Sequence, residues 1–571
     1  MRTFNKTPLA LGVAAGMAML VASTGAQADS TGTDLNLSAH TIAGGMAGAA
    51  YTRPQEASAA VFGNPATLTQ FPGVNFNFGA AHIFLQQIEV ETTTVTGAAN
   101  GANALGLPTY AATNTHTSSA TSDADNYIIP TLGISLQVSP KLFLGLGLEA
   151  DAGLGADYRN DPISLTGMDA AGLASVGYGE DLTIPLLVEV ISFNANVAAA
   201  YQATEKLSLG ASVTIGFGLA QLGTAGETTG LSAALTDVGG NTPTFDGLAP
   251  AVGAPGLVGN DAGFNIFSDF GGTTSSVHDI GLGWSLGATY EVNDNITTSL
   301  AVKSAVEYQF DDIISFESSY AQVLGAATLG APASGIGAGL QHLDIEQPLE
   351  VIAGIAYEKG GLLVEADVIW KNWSDASAYE DVYEDQFKIA LGAQYKVDKW
   401  SFRAGYSWSE EILKDTPNNT LGTLNGVGSI PLGDTALATD AALEALGLPA
   451  GLGFVDGAAV DVVELVQMSL VPVIYQHNVT AGVGYNFTDA VSVNAFASYA
   501  FAEEDSRSLE TLIEVVNLAG PAGVADGANL LPVVGLPTID TVTNDGFNSL
   551  SVKQDLGGEI FVGVGINVAL P

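Results

Sequence analysis

From residue 128 onward the chain alternates. Ile128, Pro130, Leu132, Ile134, Leu136 and Val138 are apolar, and Thr131, Gly133, Ser135 and Gln137 separate most of them. After Ser139-Pro140-Lys141 the rhythm restarts as Leu142, Leu144, Leu146 and Leu148, with Phe143, Gly145, Gly147 and Glu149 between. It returns at Leu207–Leu219, where Ser208, Gly210, Ser212, Thr214, Gly216 and Gly218 interrupt the large residues. A period of two puts one kind of residue on each face of a strand. Further clear runs are Ile280–Tyr290, Val351–Tyr357, Leu362–Trp370, Phe387–Val397, Trp400–Trp408, Val479–Phe487, Val491–Phe501 and Ile560–Leu570. Weaker strands are expected at 73–90, 183–201 and 295–311, about fourteen in all.

The connections separate a membrane barrel from a soluble sandwich, because both would alternate. Short links (139–141, 203–206, 293–295, 359–361, 397–399, 488–489) take turns with long ones (91–125, 157–182, 222–278, 313–346, 375–384, 413–472, 506–548). Six short and seven long links join fourteen antiparallel strands with both termini on the short-turn side. Outer-membrane barrels have this asymmetry, with short periplasmic turns and long external loops. Aromatic residues gather near strand ends, among them Tyr290, Tyr357, Trp370, Trp400, Tyr485 and Phe501, where interfacial girdles belong. The fold class is therefore all-β, a transmembrane antiparallel barrel. Its apolar face meets lipid, and its glycine- and hydroxyl-bearing face meets the lumen.

Composition adds exclusions. The 571 residues include 69 glycines and no cysteine, so disulfides, thiol nucleophiles and thiolate metal sites are ruled out. Charged residues are 13% of the chain, against roughly 25% in soluble domains. Sixteen basic residues against sixty acidic ones argue against nucleic acid as a partner, since its phosphates need Lys and Arg. At the N-terminus, Arg2 and Lys6 precede the apolar run Leu9–Val21, and Ala26-Gln27-Ala28 supplies a small-x-small site. Residues 1–28 read as a secretory signal cleaved near Ala28. The run is too short for a spanning helix, which needs about 20 residues.

A barrel of fourteen strands encloses more room than side chains fill, a limit reached near eight. Residues 29–72 precede the first strand, lack alternation and are rich in small residues such as Ala43, Gly44, Gly45, Ala47 and Gly48. They are expected to form a plug within the lumen, with residues 73–571 as the barrel.

At this point the chain resembles a known family, the FadL outer-membrane transporters of long-chain fatty acids, which include aromatic-hydrocarbon channels. The resemblance begins at Ser38–Gly48 and peaks at Asn64-Pro65-Ala66, which matches the family's hatch motif. It continues through Gln347-Pro348-Leu349, Trp370-Lys371-Asn372-Trp373-Ser374, Ala390–Tyr395, Lys399–Tyr406 and Gly482–Phe487. Two departures stand out. Gly45-Met46-Ala47-Gly48 replaces the Gly-Arg-Ala-Tyr-like string of the early hatch, and the chain ends in Leu570-Pro571 rather than an aromatic residue. The resemblance implies passive uptake of a hydrophobic compound, a long-chain fatty acid first, with rearrangement of the hatch and an opening between strands. Aromatic or alkane hydrocarbons are the alternative cargo, and a general porin or surface structural barrel is a third reading. Burial of an acyl chain contributes ~0.8 kcal/mol per methylene, enough for capture without catalysis.

A carboxylate cargo would want a cation. Arg403, Lys371 and Lys388 stand at inward positions, but Glu365 and Asp367 do too and are expected to pair with them across neighbouring strands. Apolar stretches at Leu248–Leu257, Ala442–Phe454 and Leu509–Leu518 are candidate linings for an external capture groove. Ala436–Leu446 reads as a helix ended by Gly447. No metal site is expected, since Ser122-Asp123-Ala124-Asp125-Asn126 lacks the downstream residues of a calcium loop. No cofactor is expected either. The six histidines are scattered, and nothing marks a serine beside His477 and Asn478 as a nucleophile, so the chain is not read as an enzyme. The expected surroundings are outer-membrane lipid, lipopolysaccharide and the barrel-assembly machinery, with the protein as a monomer.

Overall fold

The computed structural model describes residues 36–85, 88–102, 108–124, 126–165, 182–184, 186–224, 277–311, 342–380, 382–414, 461, 464, 465, 467, 468, 475–510, 513 and 545–571. The signal segment, Leu248–Leu257, Ala436–Leu446, Ala442–Phe454 and most of Leu509–Leu518 lie outside the described residues.

Fourteen antiparallel strands close into one barrel. In chain order they are Val74–Leu85, Asn126–Ser139, Leu142–Asp157, Leu186–Gln202, Leu207–Thr224, Val277–Asn293 and Ile296–Lys303. The remaining seven are Glu350–Lys359, Leu362–Lys371, Gln386–Val397, Trp400–Ser409, His477–Asn486, Val491–Ala500 and Glu559–Leu570. Each pairs with its neighbours in sequence, and Val74–Leu85 pairs with Glu559–Leu570 to close the ring. All six short turns and both ends of the barrel chain fall at one rim. In the turn after Lys359, Gly360 and Gly361 take φ of 59° and 85°, the left-handed pair that a two-residue hairpin demands.

Alternation places the side chains as expected. Along Leu207–Thr224, Leu209, Val213, Ile215 and Phe217 are exposed, while Ser208, Ser212 and Thr214 are buried. Exposed large residues continue around the ring, among them Leu282, Leu300, Val364, Leu391, Phe402 and Val564. In a closed barrel these outward residues form a band that only lipid can cover. Among the described residues no helix is long and apolar enough to cross a membrane, and the crossing is made by strands.

Three elements differ from expectation. The alternation at 73–90 splits, with Val74–Leu85 in the barrel and Ile88–Ala102 in a separate sheet. That sheet also contains Pro108–Tyr110 and Asn114–Thr121, from a stretch expected as a loop, and Glu503–Ser508 and Asp545–Leu556, which straddle the ends of another. Its buried face mixes apolar Ile88, Val90, Leu550, Val552 and Leu556 with Thr92, Thr94 and Thr96, and the threonines break the apolar stripe along Ile88–Ala102. The third difference is at 295–311. The barrel strand stops at Lys303, and Val306–Asp311 turns away to pair with His342–Gln347. This ribbon lies on the inner wall: a Cβ at Gly216, Gly218 or Gly281 would run into Tyr308, Phe310 or Val306. Bare glycine on two adjacent strands makes the trough in which it rests.

One wall ladder is incomplete. Asn126–Ser139 pairs with Leu142–Asp157 only from Thr131↔Glu149 to the short turn. Past that point Asn126–Pro130 pairs only with the first strand, and Ala150–Asp157 only with Leu186–Gln202. Pro130, with no N–H to donate, stands just past the last pair. The result is a break in the backbone ladder between the second and third strands, in the half away from the short turns. Asp157 ties its far end, with its O accepting from Asp123 N–H at 2.8 Å and its N–H donating to Ser122 Oγ at 2.9 Å.

Candidate functional site

Residues 36–72 occupy the bore, and the sequence explains how they fit there. The Gly44–Met46 turn is followed by Ala47 and Gly48, both left-handed at φ 57° and 80°. A short helix, Ala57–Phe62, leads to Asn64, which caps a second turn over Pro65–Gln70. Asn64 Oδ1 accepts from Ala66 N–H at 3.1 Å, its Nδ2 donates to Tyr51 O at 3.1 Å, and Thr67 Oγ1 donates to Asn64 O at 2.7 Å. Pro65 sits at the first position of the turn, where its missing N–H costs nothing.

The wall is shaped to receive this segment. A Cβ at Gly287 would collide with Asn64 Oδ1, and one at Gly210 with the Pro65–Ala66 backbone. The three motif residues are thus wedged against two adjacent strands. Gly145 and Gly147 make way for Val61, Leu68 and Phe62, and Gly392 and Gly405 for Met46. Leu37, Tyr51, Val61 and Phe62 form an apolar cluster with the inward Phe143, Ala301, Ile352 and Ile369.

Charged groups add anchors. Glu365 accepts from Thr52 N–H at 2.6 Å and Arg53 N–H at 3.1 Å, and Asp367 accepts from Tyr51 N–H at 3.4 Å. Glu56 Oε1 accepts from Ile42 N–H and Ala43 N–H at 2.7 and 3.0 Å. His40, buried, reaches Glu149 Oε2 with Nε2 at 2.6 Å and Ser58 Oγ with Nδ1 at 2.8 Å. Burial pushes the imidazole down to about 4, with Glu56 opposing and Lys303 adding to the effect. A neutral ring that donates through Nε2–H and accepts at Nδ1 satisfies both partners. Two cavities flank the segment. One of about 40 Å³ lies between Phe62 and the inward ribbon, bounded by Glu149, Asp151, Asn194 and Gln347. The other, about 200 Å³, opens at the short-turn rim beside Gln55, Glu56, Phe71 and Asn567.

Residues 19–439 match the family model described as "Outer membrane protein transport protein (OMPP1/FadL/TodX)". The chain belongs to this family. Its members are outer-membrane channels for hydrophobic compounds. Comparison with curated proteins yields no match. Among solved structures, a Pseudomonas aeruginosa FadL homologue is 14% identical, with 95% of this chain and 99% of that one covered and a TM-score of 0.48. The Pseudomonas putida toluene transporter TodX is 18% identical, with coverage of 90% and 93% and a TM-score of 0.43. The Ralstonia pickettii toluene transporter TbuX is 16% identical, with coverage of 94% and 100% and a TM-score of 0.45.

In this FadL-family barrel the three cationic candidates do not converge. Lys371 is buried with its Nζ 3.6 Å from Glu350, which also meets Lys303 at 3.2 Å. Lys388 is half-buried, two residues along the neighbouring strand from Gln386, the partner of Lys371. Arg403 pairs in register with Gln394, six residues along that strand from Lys388, about 20 Å at the strand rise. Its Nε donates to Gln394 Oε1 at 2.7 Å, and Gln394 in turn donates to Gln55 Oε1 at 3.0 Å. Arg403 therefore braces the internal segment. The expected pairing of these cations with Glu365 and Asp367 is corrected, because both acids are engaged by backbone N–H groups of residues 51–53. Parity along a strand tells which side chains face inward. It carries no information about the plug they meet there. His40, Ser58 and Glu149 were missed as a group for the same reason: they lie far apart in sequence, and only inward parity at Glu149 hinted at a role.

Proposed function

We propose that the protein carries hydrophobic compounds passively across the outer membrane of a Gram-negative cell, with residues 29–72 acting as the hatch. The observation that carries this reading is the combination of a filled bore and a break in the backbone ladder between the second and third strands. Apolar cargo entering from outside needs a path through the polar surface layer and then an exit into lipid. Opening of the wall at that break supplies the exit without a water-filled pore. Asn64, Pro65 and Ala66 hold one side of the hatch against two strands, and their release is the rearrangement that opens the path.

For cargo, the commitment of Lys371 and Lys303 to Glu350 favours a neutral hydrocarbon. Arg403 is bound to Gln394, and Lys371 and Lys303 share Glu350. A fatty-acid carboxylate at Lys371 or Lys303 would have to displace Glu350 and overcome desolvation, whereas at Arg403 the buried Nη1 has no hydrogen-bond partner among the described residues. Fatty acids, which the resemblance implies first, remain the second reading. Residues 1–28 serve as the cleaved export signal, and the folded barrel is a monomer among lipid and lipopolysaccharide, inserted by the barrel-assembly machinery.

Uptake in a Gram-negative host lacking its own transporters of this kind tests the reading. Expression of the wild-type chain is expected to restore uptake of toluene or an alkane more than that of oleate. Rescue of oleate alone would reverse the order of the two readings, and rescue of neither would overturn both.

A further inference from the structure

The smaller cavity, about 40 Å³ between Phe62 and the inward ribbon, is bordered by an excess of oxygen acceptors. Barrel register explains their gathering. Glu149 on the third strand stands directly opposite Asn194 on the fourth, and Asn196 follows two residues on, along the same face. Glycine flanks the two amides: Gly147 is paired with Asn196 on one side, and Gly216 with Asn194 on the other. Those bare positions admit Phe62 from the hatch and Tyr308 from the ribbon, and the asparagines line the space between. Gln347 borders it from the ribbon's second strand, and a register slip between Ala150 and Ala152 sets Asp151 at its edge.

Three of these acceptors have nothing to accept. Among the described residues, Asn194 Oδ1, Asn196 Oδ1 and Gln347 Oε1 are buried without a hydrogen-bond partner, on residues only 7%, 4% and 6% exposed. A buried acceptor left unpaired is costly, and three around one small space call for a donor or a cation. Charge decides between the two. Glu149, Asp151 and Glu350 border the cavity against a single ammonium, Lys303, which lies 3.2 Å from Glu350. Even with Lys371 also drawn to Glu350 at 3.6 Å, acids outnumber cations. Water would satisfy the amides and leave that negative balance standing in a buried site. Carboxylates together with amide carbonyls are the oxygen set that hard cations take, and calcium tolerates an irregular arrangement where magnesium demands an octahedron. The volume suits one ion with about two waters.

We propose that this cavity binds one hard metal cation, calcium in preference to magnesium, through the amide oxygens of Asn194, Asn196 and Gln347, with Glu149 and Asp151 supplying charge. The bound ion joins the fourth barrel strand to the ribbon strand His342–Gln347 and so fixes the ribbon within the bore. No local motif announces such a site, because its oxygens come from three separate stretches of chain that meet only inside the closed ring. The site stands on this geometry and is independent of the proposed cargo.

The test uses the full chain, stripped with chelator and placed in phosphatidylcholine nanodiscs, whose neutral lipid offers calcium little competition. Each variant is first shown to fold by the gel shift of the unheated barrel. Calorimetric titration with calcium chloride is expected to show a single tight site per chain, distinct from weak binding to the external acids. Asn196→Ala and Gln347→Ala should weaken that site by at least about tenfold, the least that loss of even a supporting contact costs a metal centre. Asn196→Asp, which exchanges an amide oxygen for a carboxylate at the same place, should tighten it, whereas a packing role for Asn196 predicts weakening. Crystals grown with terbium in place of calcium are expected to carry an anomalous peak bounded by Asn194, Asn196 and Gln347. Lack of a tight site in the wild-type protein, or its persistence unchanged in both alanine variants, would overturn the proposal. So would a terbium crystal whose cavity holds water only. Weaker binding in Asn196→Asp would strike Asn196 from the ligands, and equal affinity for magnesium chloride would overturn the preference for calcium.

Discussion

Position 287 shows how much a single side chain weighs inside a filled barrel. A methyl group added there meets Asn64 Oδ1 and crowds Pro65, and the hatch cannot shift away without leaving its seats at Gly210 and Gly145. Overpacking of this kind typically costs about 1–3 kcal/mol. Gly287→Val is expected to lower the thermal midpoint of the hatch and to expose it to added protease, while leaving the barrel folded. Asn64→Ala removes the cap to Ala66 N–H and the tie to Tyr51 O, and a lost N-cap costs about 1 kcal/mol. Protease sensitivity should therefore rise less in Asn64→Ala than in Gly287→Val. If neither substitution changes it, the wedge at the motif is not what holds the hatch.

Among the elements, the described residues of the 461–468 segment pack onto the external side of the barrel. Met468 is buried with Trp373, Tyr379 and Tyr383, and Gln554 Nε2 donates to Met468 O at 2.8 Å. Burial pushes the Glu464 carboxyl up to about 7, with Asp461 adding to the effect and Arg507 opposing it. The folded value lies above the ordinary 4.5, so the fold favours the protonated form. That contribution is complete below about 4.5 and is lost as pH rises through about 7. Hydrogen exchange in this segment is expected to quicken as pH rises from 4.5 to about 7, and Glu464→Gln should abolish the dependence. A pH-independent exchange rate in the parent, after correction for intrinsic chemistry, would contradict it.

The strand that ends at Lys303 shows why element boundaries escaped the sequence. Leu300, Val302, Val306, Tyr308 and Phe310 keep one parity throughout, so the run reads as a single strand. In the structure the chain leaves the wall at Ser304-Ala305. Leu300 faces lipid at 53% exposure, whereas Tyr308 and Phe310 lie at 1% and 0% against inner-wall glycines. The same periodicity serves two opposite environments. The external threonine-rich sheet escaped for a complementary reason, because Thr92, Thr94 and Thr96 interrupt the apolar stripe on its buried face. The barrel strands themselves were legible since one side of each is dictated by lipid along its whole length.

At the scale of the whole molecule, the barrel and the segment inside it are held by different kinds of contact. The ring is closed by backbone ladders on both sides of nearly every strand, and the hatch is held by side-chain contacts, inward glycines and a few carboxylates. Deleting residues 38–70 is expected to leave a folded barrel that conducts ions in a planar bilayer far more than the intact protein does. A deletion variant that folds and yet stays closed would show that the inward ribbon Val306–Asp311, rather than the hatch, seals the bore.

Period-two alternation, the cadence of short and long connections and the lack of cysteine determined from sequence alone that this is a lipid-facing barrel with something small-residued inside. Those features are local, and each is imposed by a uniform surrounding: hydrocarbon outside, water at the rims. The partners of Glu365, Asp367, Arg403 and Glu149, the inward turn at Ser304 and the ladder break beside Pro130 were decided only in the tertiary structure. Each depends on which distant residue the closed ring brings opposite, and closure is a property of the whole circumference that no stretch of sequence contains.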